Sequence, residues 1–311
     1  MKKIAFLFPG QGSQRVGMGQ EFYQEFEIVR EIFDMAEELV KINLSKLCFQ
    51  GPMESLTATL TLQPALTAVT LSTLAIFQRE GHQAALTAGH SLGEYSALCA
   101  AAILSREDTI RAVMRRGELM HREATRHEGA MAAIVGLPMD TVRQIVAEAE
   151  SDGIVSVANH NAKEQIVITG EPSAVQKAGA LASAHKARSI PLKVSGAWHS
   201  ALIRGAEDDF NTFLETISFN TPEIPVIHNV SADTTKNPQE IRTLMVTQLC
   251  HPVLWYDTMN RLMDHEVEIF VEMGPGNVLA GLLKKTIPAN YPHRIFRVSD
   301  MKSLEAFFAA V

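Results

Sequence analysis

The chain has 311 residues, 46% hydrophobic and 20% charged, with a formal net charge of −7. That length and composition suit a soluble protein with one large core or two unequal ones, and the negative balance argues against a broad nucleic-acid surface, which phosphates would require to be basic. The three cysteines, Cys48, Cys99 and Cys250, are far apart, match neither a C-x-x-C site nor a disulfide framework, and read as reduced thiols of a cytoplasmic protein.

The first element is a buried strand over Ile4–Phe8, stopped by Pro9. Its apolar run is too short for a signal-peptide core or a membrane span, and no unbroken apolar run of membrane length follows. After the tight loop "PGQGSQ" come helical patterns over 21–39 and 63–81, a short strand over 84–88, and two more helices over 91–104 and 106–124. Strands alternating with helices predict an α/β protein with a mainly parallel sheet.

The middle of the chain changes pattern. A strand at 130–137, a helix at 139–150, strands at 154–159 and 164–170, a helix at 171–185 and a strand at 187–194 give the order β-α-β-β-α-β. That is the order of a ferredoxin-like unit. The expected organisation is therefore a discontinuous, α/β-hydrolase-like large domain, residues 1–126 and 194–311, with a small ferredoxin-like subdomain inserted at 127–193. Alternation then resumes, with strands at 224–229 and 268–273 and helices at 239–249 and 278–285. A cleft between the two parts is the natural place for a substrate.

One stretch carries chemistry by itself. Gly89-His90-Ser91-Leu92-Gly93 fits G-x-S-x-G, with a strand before it and a helix after it. In a nucleophile elbow the serine sits on a crowded strand-to-helix turn, so its neighbours two residues away are small. The following helix offers free N–H groups to a developing oxyanion. This context favours a nucleophile over a structural Gly-Ser-Gly turn. A serine nucleophile needs a base. Among eleven histidines, His199 in "VSGAWHSAL" lies where a strand ends in small residues, on the edge that faces the cleft. From position alone it is equally well read as a capping or packing residue.

Taken together, the motifs resemble the malonyl-CoA:acyl carrier protein transacylases and the acyltransferase domains of fatty acid and polyketide synthases. The resemblance covers nearly the whole chain. It rests on "FPGQGSQ", "GHSLGEYSAL", "MRRGELM", "GAMAAIVGL", "GAWHS", "QLCHPVLW" and "EMGPGNVLAGLL", in that order. It implies Ser91 as nucleophile and His199 as general base and acid. The backbone N–H groups of Gln11 and Leu92 would form the oxyanion hole, and Arg116 would hold the free carboxylate of a malonyl group. Gln248 would orient His199 through its backbone carbonyl. Asn159 and Asn161 match asparagines near the pocket. Without the resemblance, Arg116 is not distinguishable from Arg115. Trp198 stands where malonyl-selective relatives have phenylalanine and methylmalonyl-selective ones a smaller residue, so it should crowd any branch at C2.

The activity so implied is ping-pong transfer of malonyl from malonyl-CoA to the phosphopantetheine thiol of a holo acyl carrier protein, for fatty acid or polyketide synthesis. No bound cofactor, no metal, no nucleic acid and no membrane are implied, and a cytoplasmic monomer is expected. Carrier proteins are acidic, so docking calls for a local basic patch, with Lys186, Arg188, Lys284 and Lys285 as candidates. Two other readings stay open. One is a thioester hydrolase acting on acyl carrier proteins; a buried arginine would gain it nothing with uncharged acyl groups. The other is a non-catalytic carrier-binding subunit, which would not need Ser91, His199, Gln11 and Arg116 together.

Overall fold

A computed structural model describes residues 2–311. Strand β1 (Lys3–Phe8) is followed by α1 (Gln20–Glu25), α2 (Glu27–Val40), α3 (Leu44–Gln50), α4 (Met53–Thr57) and α5 (Thr59–Arg79), then β2 (Leu86–Gly89), α6 (Gly93–Ala100) and α7 (Arg106–Arg126). The middle segment runs β3 (Ala130–Val135), α8 (Met139–Ala149), β4 (Val155–Ala162), β5 (Gln165–Gly170), α9 (Pro172–Ala184) and β6 (Arg188–Pro191). The chain closes with α10 (Glu207–Leu214), β7 (Val226–Ile227), α11 (Pro238–Thr247), α12 (Trp255–Asp264), β8 (Val267–Met273), α13 (Val278–Thr286), β9 (Arg294–Val298) and α14 (Met301–Phe308).

Two sheets result. The first is all parallel, in the order β7-β2-β1-β8-β9. Its centre is β1, whose Ala5, Phe6, Leu7 and Phe8 are buried on both faces, as an uninterrupted apolar run in a parallel sheet should be. Phe8 pairs with Gly89, so the loops leaving β1 and β2 emerge side by side at the carboxyl edge, where open α/β sheets bind ligands. Helix α5 is long and apolar enough to cross a membrane, yet 89% of that window is buried inside the protein. Its buried Ser72 and Thr73 hydroxyls bond back to the carbonyls of Ala68 and Val69, which lets a polar residue sit in the core.

The second sheet is antiparallel, in the order β4-β5-β3-β6, as the β-α-β-β-α-β reading requires. Side chains alternate across it. Ala132, Ile134, Ile166 and Ile168 pack with α8 and α9 in a core of their own, while Met131, Ala133 and Val167 join the main core. We propose 127–193 as the bounds of this smaller unit, with 1–126 and 194–311 as the larger; Met1 lies outside the described residues. The two parts are stitched together by backbone. His160 N–H donates to the Val253 carbonyl at 2.9 Å, and Val253 N–H to that of Ala158 at 2.9 Å.

Several local expectations need correction. The helix expected over 21–39 is two helices, because Phe26 is extended (φ −115°, ψ 125°) and caps α1. The strand expected over 224–229 forms only at Val226–Ile227, because the chain turns at His228, whose carbonyl accepts from Ala232 N–H. Helices α3, α4, α10, α12 and α14 and strand β9 lay outside the sequence reading.

Candidate active site

Ser91 sits between β2 and α6 with φ at 50°, in the left-handed region that costs energy for any residue with a Cβ. The strain is held by close packing. A Cβ on Gly89 would lie 2.0 Å from the Gly93 carbonyl, and one on Gly93 would lie 2.0 Å from the Phe8 carbonyl oxygen. The elbow is therefore pressed onto the end of β1 backbone to backbone. Asn229 clamps the turn from the other side. Its Nδ2 donates to the Gly89 carbonyl at 2.6 Å, and its Oδ1 accepts the Ser91 N–H at 2.7 Å.

His199 also has a positive φ, 59°. It lies inside a tight turn in which the Ser200 hydroxyl donates to the Ala197 carbonyl at 2.7 Å. Its Nε2 lies 2.8 Å from Ser91 Oγ, and its Nδ1 lies 2.8 Å from the backbone carbonyl of Gln248. That carbonyl fixes the tautomer: Nδ1 carries the proton and donates, so Nε2 is free to accept from the serine hydroxyl. Gln248 caps the carboxyl end of α11, where carbonyls lack helical partners and the helix dipole is negative. A helix terminus thus occupies the position that a carboxylate holds in a Ser-His-Asp triad. Burial, and next the charge of Arg116, pushes the His199 imidazole down to about 3, so it is neutral at physiological pH.

Arg116 is 1% exposed. Its three side-chain hydrogen bonds all go to neutral groups: Gln63 Oε1 at 3.1 Å, Gln248 Oε1 at 3.2 Å and Ser91 Oγ at 3.1 Å. Its Nε is buried with no partner among the described residues, and its guanidinium lies 5.7 Å from the centre of the Tyr95 ring. Burial lowers its pKa, opposed by the charges of Tyr95 and Glu94. A guanidinium so placed has capacity left for a planar, bidentate anion such as a carboxylate.

These groups face one cavity of about 110 Å³, lined also by Gln11, Leu92, Met120, Met131, Asn159 and Trp198. Gly10 brings Gln11 there, since a Cβ at Gly10 would lie 2.4 Å from the His90 carbonyl oxygen. The indole of Trp198 is seated against Gly196, where a Cβ would fall 2.8 Å from its ring carbons. Asn161 is one step removed: its Oδ1 meets His90 Nε2 at 2.8 Å. Of the basic candidates, Arg188 and Lys285 share a separate surface cleft with Lys163 and Gln165. Lys186 and Lys284 do not line it. Among the described residues, no cluster of three or more His, Cys, Asp or Glu is placed to hold a metal ion.

The sequence reading missed Gln63, Glu94, Tyr95 and Asn229. A signal existed for preferring Arg116 to Arg115. The buried stripe of α7 runs Thr109, Ala112, Val113, Arg116, Leu119, Met120 and Glu123, so helical spacing puts 116 inside, while Arg115 pairs with Glu118 at the surface.

The acyl transferase domain model matches residues 5–305. The chain belongs to the acyl transferase family. It is 42% identical to the malonyl CoA-acyl carrier protein transacylase of Bacillus subtilis, over 98% of this chain and 96% of that one. It is 40% identical to the protein of the same name from Escherichia coli K12, over 92% and 94%. Among solved structures, an acyl carrier protein S-malonyltransferase from Vibrio cholerae superposes with a TM-score of 0.93 at 38% identity, covering 98% and 99% of the two chains. A malonyl-transacylase in complex with its type II PKS acyl-carrier protein superposes at 0.94 with 37% identity, covering 98% of each.

The packing of the elbow gives a test that needs no substrate. Gly93→Ala drives a methyl group into the β1 backbone, which cannot move aside as a flexible side chain would. We predict a loss of about 3 kcal/mol or more, at or above the upper end for overpacking, read as a lower midpoint in denaturant unfolding. A wild-type midpoint would mean that the elbow is not pressed on β1.

Proposed function

We propose that the protein transfers a malonyl group from malonyl-CoA to the phosphopantetheine thiol of a holo acyl carrier protein, through a malonyl-serine intermediate. The observation that carries this reading is a buried arginine 3.1 Å from the hydroxyl of a serine that is itself 2.8 Å from a histidine. The names and coverage of the relatives support it. A carrier-protein hydrolase for uncharged acyl groups would have no use for that arginine.

In this mechanism His199 Nε2 takes the Ser91 proton as Oγ attacks the thioester carbonyl. Negative charge gathers on the carbonyl oxygen. Among the described residues the backbone N–H groups of Gln11 and Leu92 make no backbone hydrogen bond in the turns of this site, and they are the proposed donors; a donor of this kind is worth about 10²- to 10³-fold in rate. The tetrahedral intermediate collapses, the C–S bond breaks, and the imidazolium returns its proton to the departing CoA sulfur. The carrier thiol then loses its proton to His199 and attacks the serine ester, and the proton ends on Ser91 Oγ. Throughout, the Gln248 carbonyl at the end of α11 steadies the imidazolium. Arg116, kept in place by Gln63 and Gln248, would turn from Ser91 Oγ to the malonyl carboxylate, and Trp198 would bound the space at C2.

Arg188 and Lys285, together in one cleft with Lys163, are the proposed contacts for an acidic carrier. Lys186 and Lys284 are the weaker candidates. The three free thiols suit the cytoplasm. The protein is proposed to act as a monomer with no bound cofactor, and a light-scattering mass of two chains would overturn the first of these.

Three measurements test the reading. Incubated with malonyl-CoA and digested, the protein should carry one malonyl group on the Ser91 peptide and none in Ser91→Ala; label persisting in that variant would exclude Ser91. In the acylation half-reaction, kcat/KM should hold its plateau from about pH 8 to about pH 5, because this parameter reports free-enzyme pKa values and the needed neutral form of His199 is lost only as pH falls through its lowered pKa. An acid limb centred near pH 6.5 would mean a solvated base. In an acyl-CoA panel, Arg116→Ala should cut malonyl transfer about 100-fold or more, the cost of leaving a buried carboxylate unpaired, with acetyl transfer spared. Equal loss for both would make the arginine structural. In the same panel Trp198→Ser should raise the methylmalonyl-to-malonyl ratio, and an unchanged ratio would place the indole away from C2.

A further inference from the structure

Glu94 lies three residues after Ser91 in the first turn of α6 and is 1% exposed. It has no part in the proton transfers above. Three N–H groups converge on it: His228 Nδ1 at 2.9 Å, the Asn229 backbone at 3.2 Å and Gln248 Nε2 at 2.5 Å. A carboxyl group that accepts from three donors is placed to act as a carboxylate, since a proton on it would face another donor.

Each partner leads back to the site. Asn229 is the clamp on the elbow. The Gln248 side chain reaches three ways. Its Nε2 donates to Glu94 and also to the Ser91 carbonyl at 3.0 Å, and its Oε1 accepts from Arg116 Nη2 at 3.2 Å. An amide has one donor end and one acceptor end, so its polarity must match its surroundings. Turned over, it would set NH₂ against a guanidinium and oxygen against a carboxylate and a carbonyl. Arg116, which only donates, and the Ser91 carbonyl, which only accepts, already set this polarity, and the carboxylate of Glu94 adds a charged anchor on the nitrogen side.

We propose that Glu94 is a positioning residue that anchors the Gln248 amide, and through the oxygen of that amide holds Arg116 where a carboxylate-bearing acyl group is recognised. The inference rests on the malonyl reading above. It makes Glu94 a determinant of acyl selectivity, acting through Gln248 with no contact to substrate.

The test compares kcat/KM for malonyl-CoA and acetyl-CoA in wild type, Arg116→Ala, Glu94→Gln and Glu94→Asp. In Glu94→Gln the new amide must turn its oxygen to His228 and Asn229, so it presents NH₂ to Gln248 Nε2 and pushes that side chain, which Arg116 and the Ser91 carbonyl keep from turning over, off its place. The malonyl-to-acetyl ratio should fall about tenfold or more, as for loss of a hydrogen bond to a charged group, and chiefly through the KM for malonyl-CoA. Glu94→Asp changes shape more but keeps the polarity, so it should keep more of the ratio than Glu94→Gln. A merely structural glutamate predicts the reverse order, or equal loss for both substrates, and either result overturns the proposal. If Glu94→Gln does not fold, Gln248→Met reads the same link, because it removes the amide and keeps the backbone carbonyl under His199; a wild-type ratio there overturns the proposal. If Arg116→Ala itself leaves the ratio unchanged, the malonyl reading fails; if it lowers the ratio while Glu94→Gln does not, only this proposal fails.

Discussion

A positive charge buried without an anion at its side is the constraint around which the site is built. Removing a guanidinium from water is costly unless hydrogen bonds replace the solvent. Here Arg116 receives three neutral oxygens, from Gln63, Gln248 and Ser91. Those contacts draw together α5, α7, the elbow and the end of α11, which lie far apart in the chain. The same field acts on the histidine. Burial and the Arg116 charge together keep His199 unprotonated, which is the form a general base requires. In the proposed mechanism one buried cation thus bears both on the recognition of an anion and on the protonation state of the base.

The second organising feature is where the backbone ends. The loop after β1 and the elbow leave adjacent strands at the same edge, and α6 and α11 point opposite ends at Ser91 and His199. In the proposed reaction the amino end of α6 faces the growing negative charge, and the carboxyl end of α11 faces the transient imidazolium. Fixed dipoles of this kind need no reorientation during reaction. They also explain why a backbone carbonyl suffices behind the histidine. The backbone bonds between β4 and Val253 hold the smaller unit against this edge, where Met131 and Asn159 line the cavity.

Much of this was legible in the sequence because local rules set it. The run Ile4–Phe8 reads as a buried strand, and the two glycines around Ser91 mark a turn with no room for side chains. The β-α-β-β-α-β order in the middle fixed an antiparallel unit whose strand order is the one observed. What escaped depends on distant partners. Gln63 precedes a proline in an apolar helix and gives no local hint that it holds an arginine 53 residues away. The strand around 226 is cut short because Asn229 must leave the sheet to clamp the elbow, and that demand comes from residues near 90. Strand β9, at the edge of the sheet, has arginines at its first and fourth positions, so its three apolar residues show no alternation to mark it. The motifs of the family filled the gap for Arg116, although helical spacing in α7 already separated it from Arg115.

The seat of the Trp198 ring against Gly196 has a consequence for how such a pocket can diversify. The space of a side chain at 196 is bordered by the indole and by the Ala124 methyl group, 2.8 and 2.7 Å from where its Cβ would lie, so three positions share one volume. A smaller aromatic at 198 frees only one side of that volume, and a methyl group at 196 also needs the Ala124 methyl removed; added first, it would displace the indole. The order of changes therefore matters. A lineage, or a mutant library, that moves through these sites one at a time must lose bulk at 124 and 198 before it gains any at 196, so the three are coupled and have to be varied together.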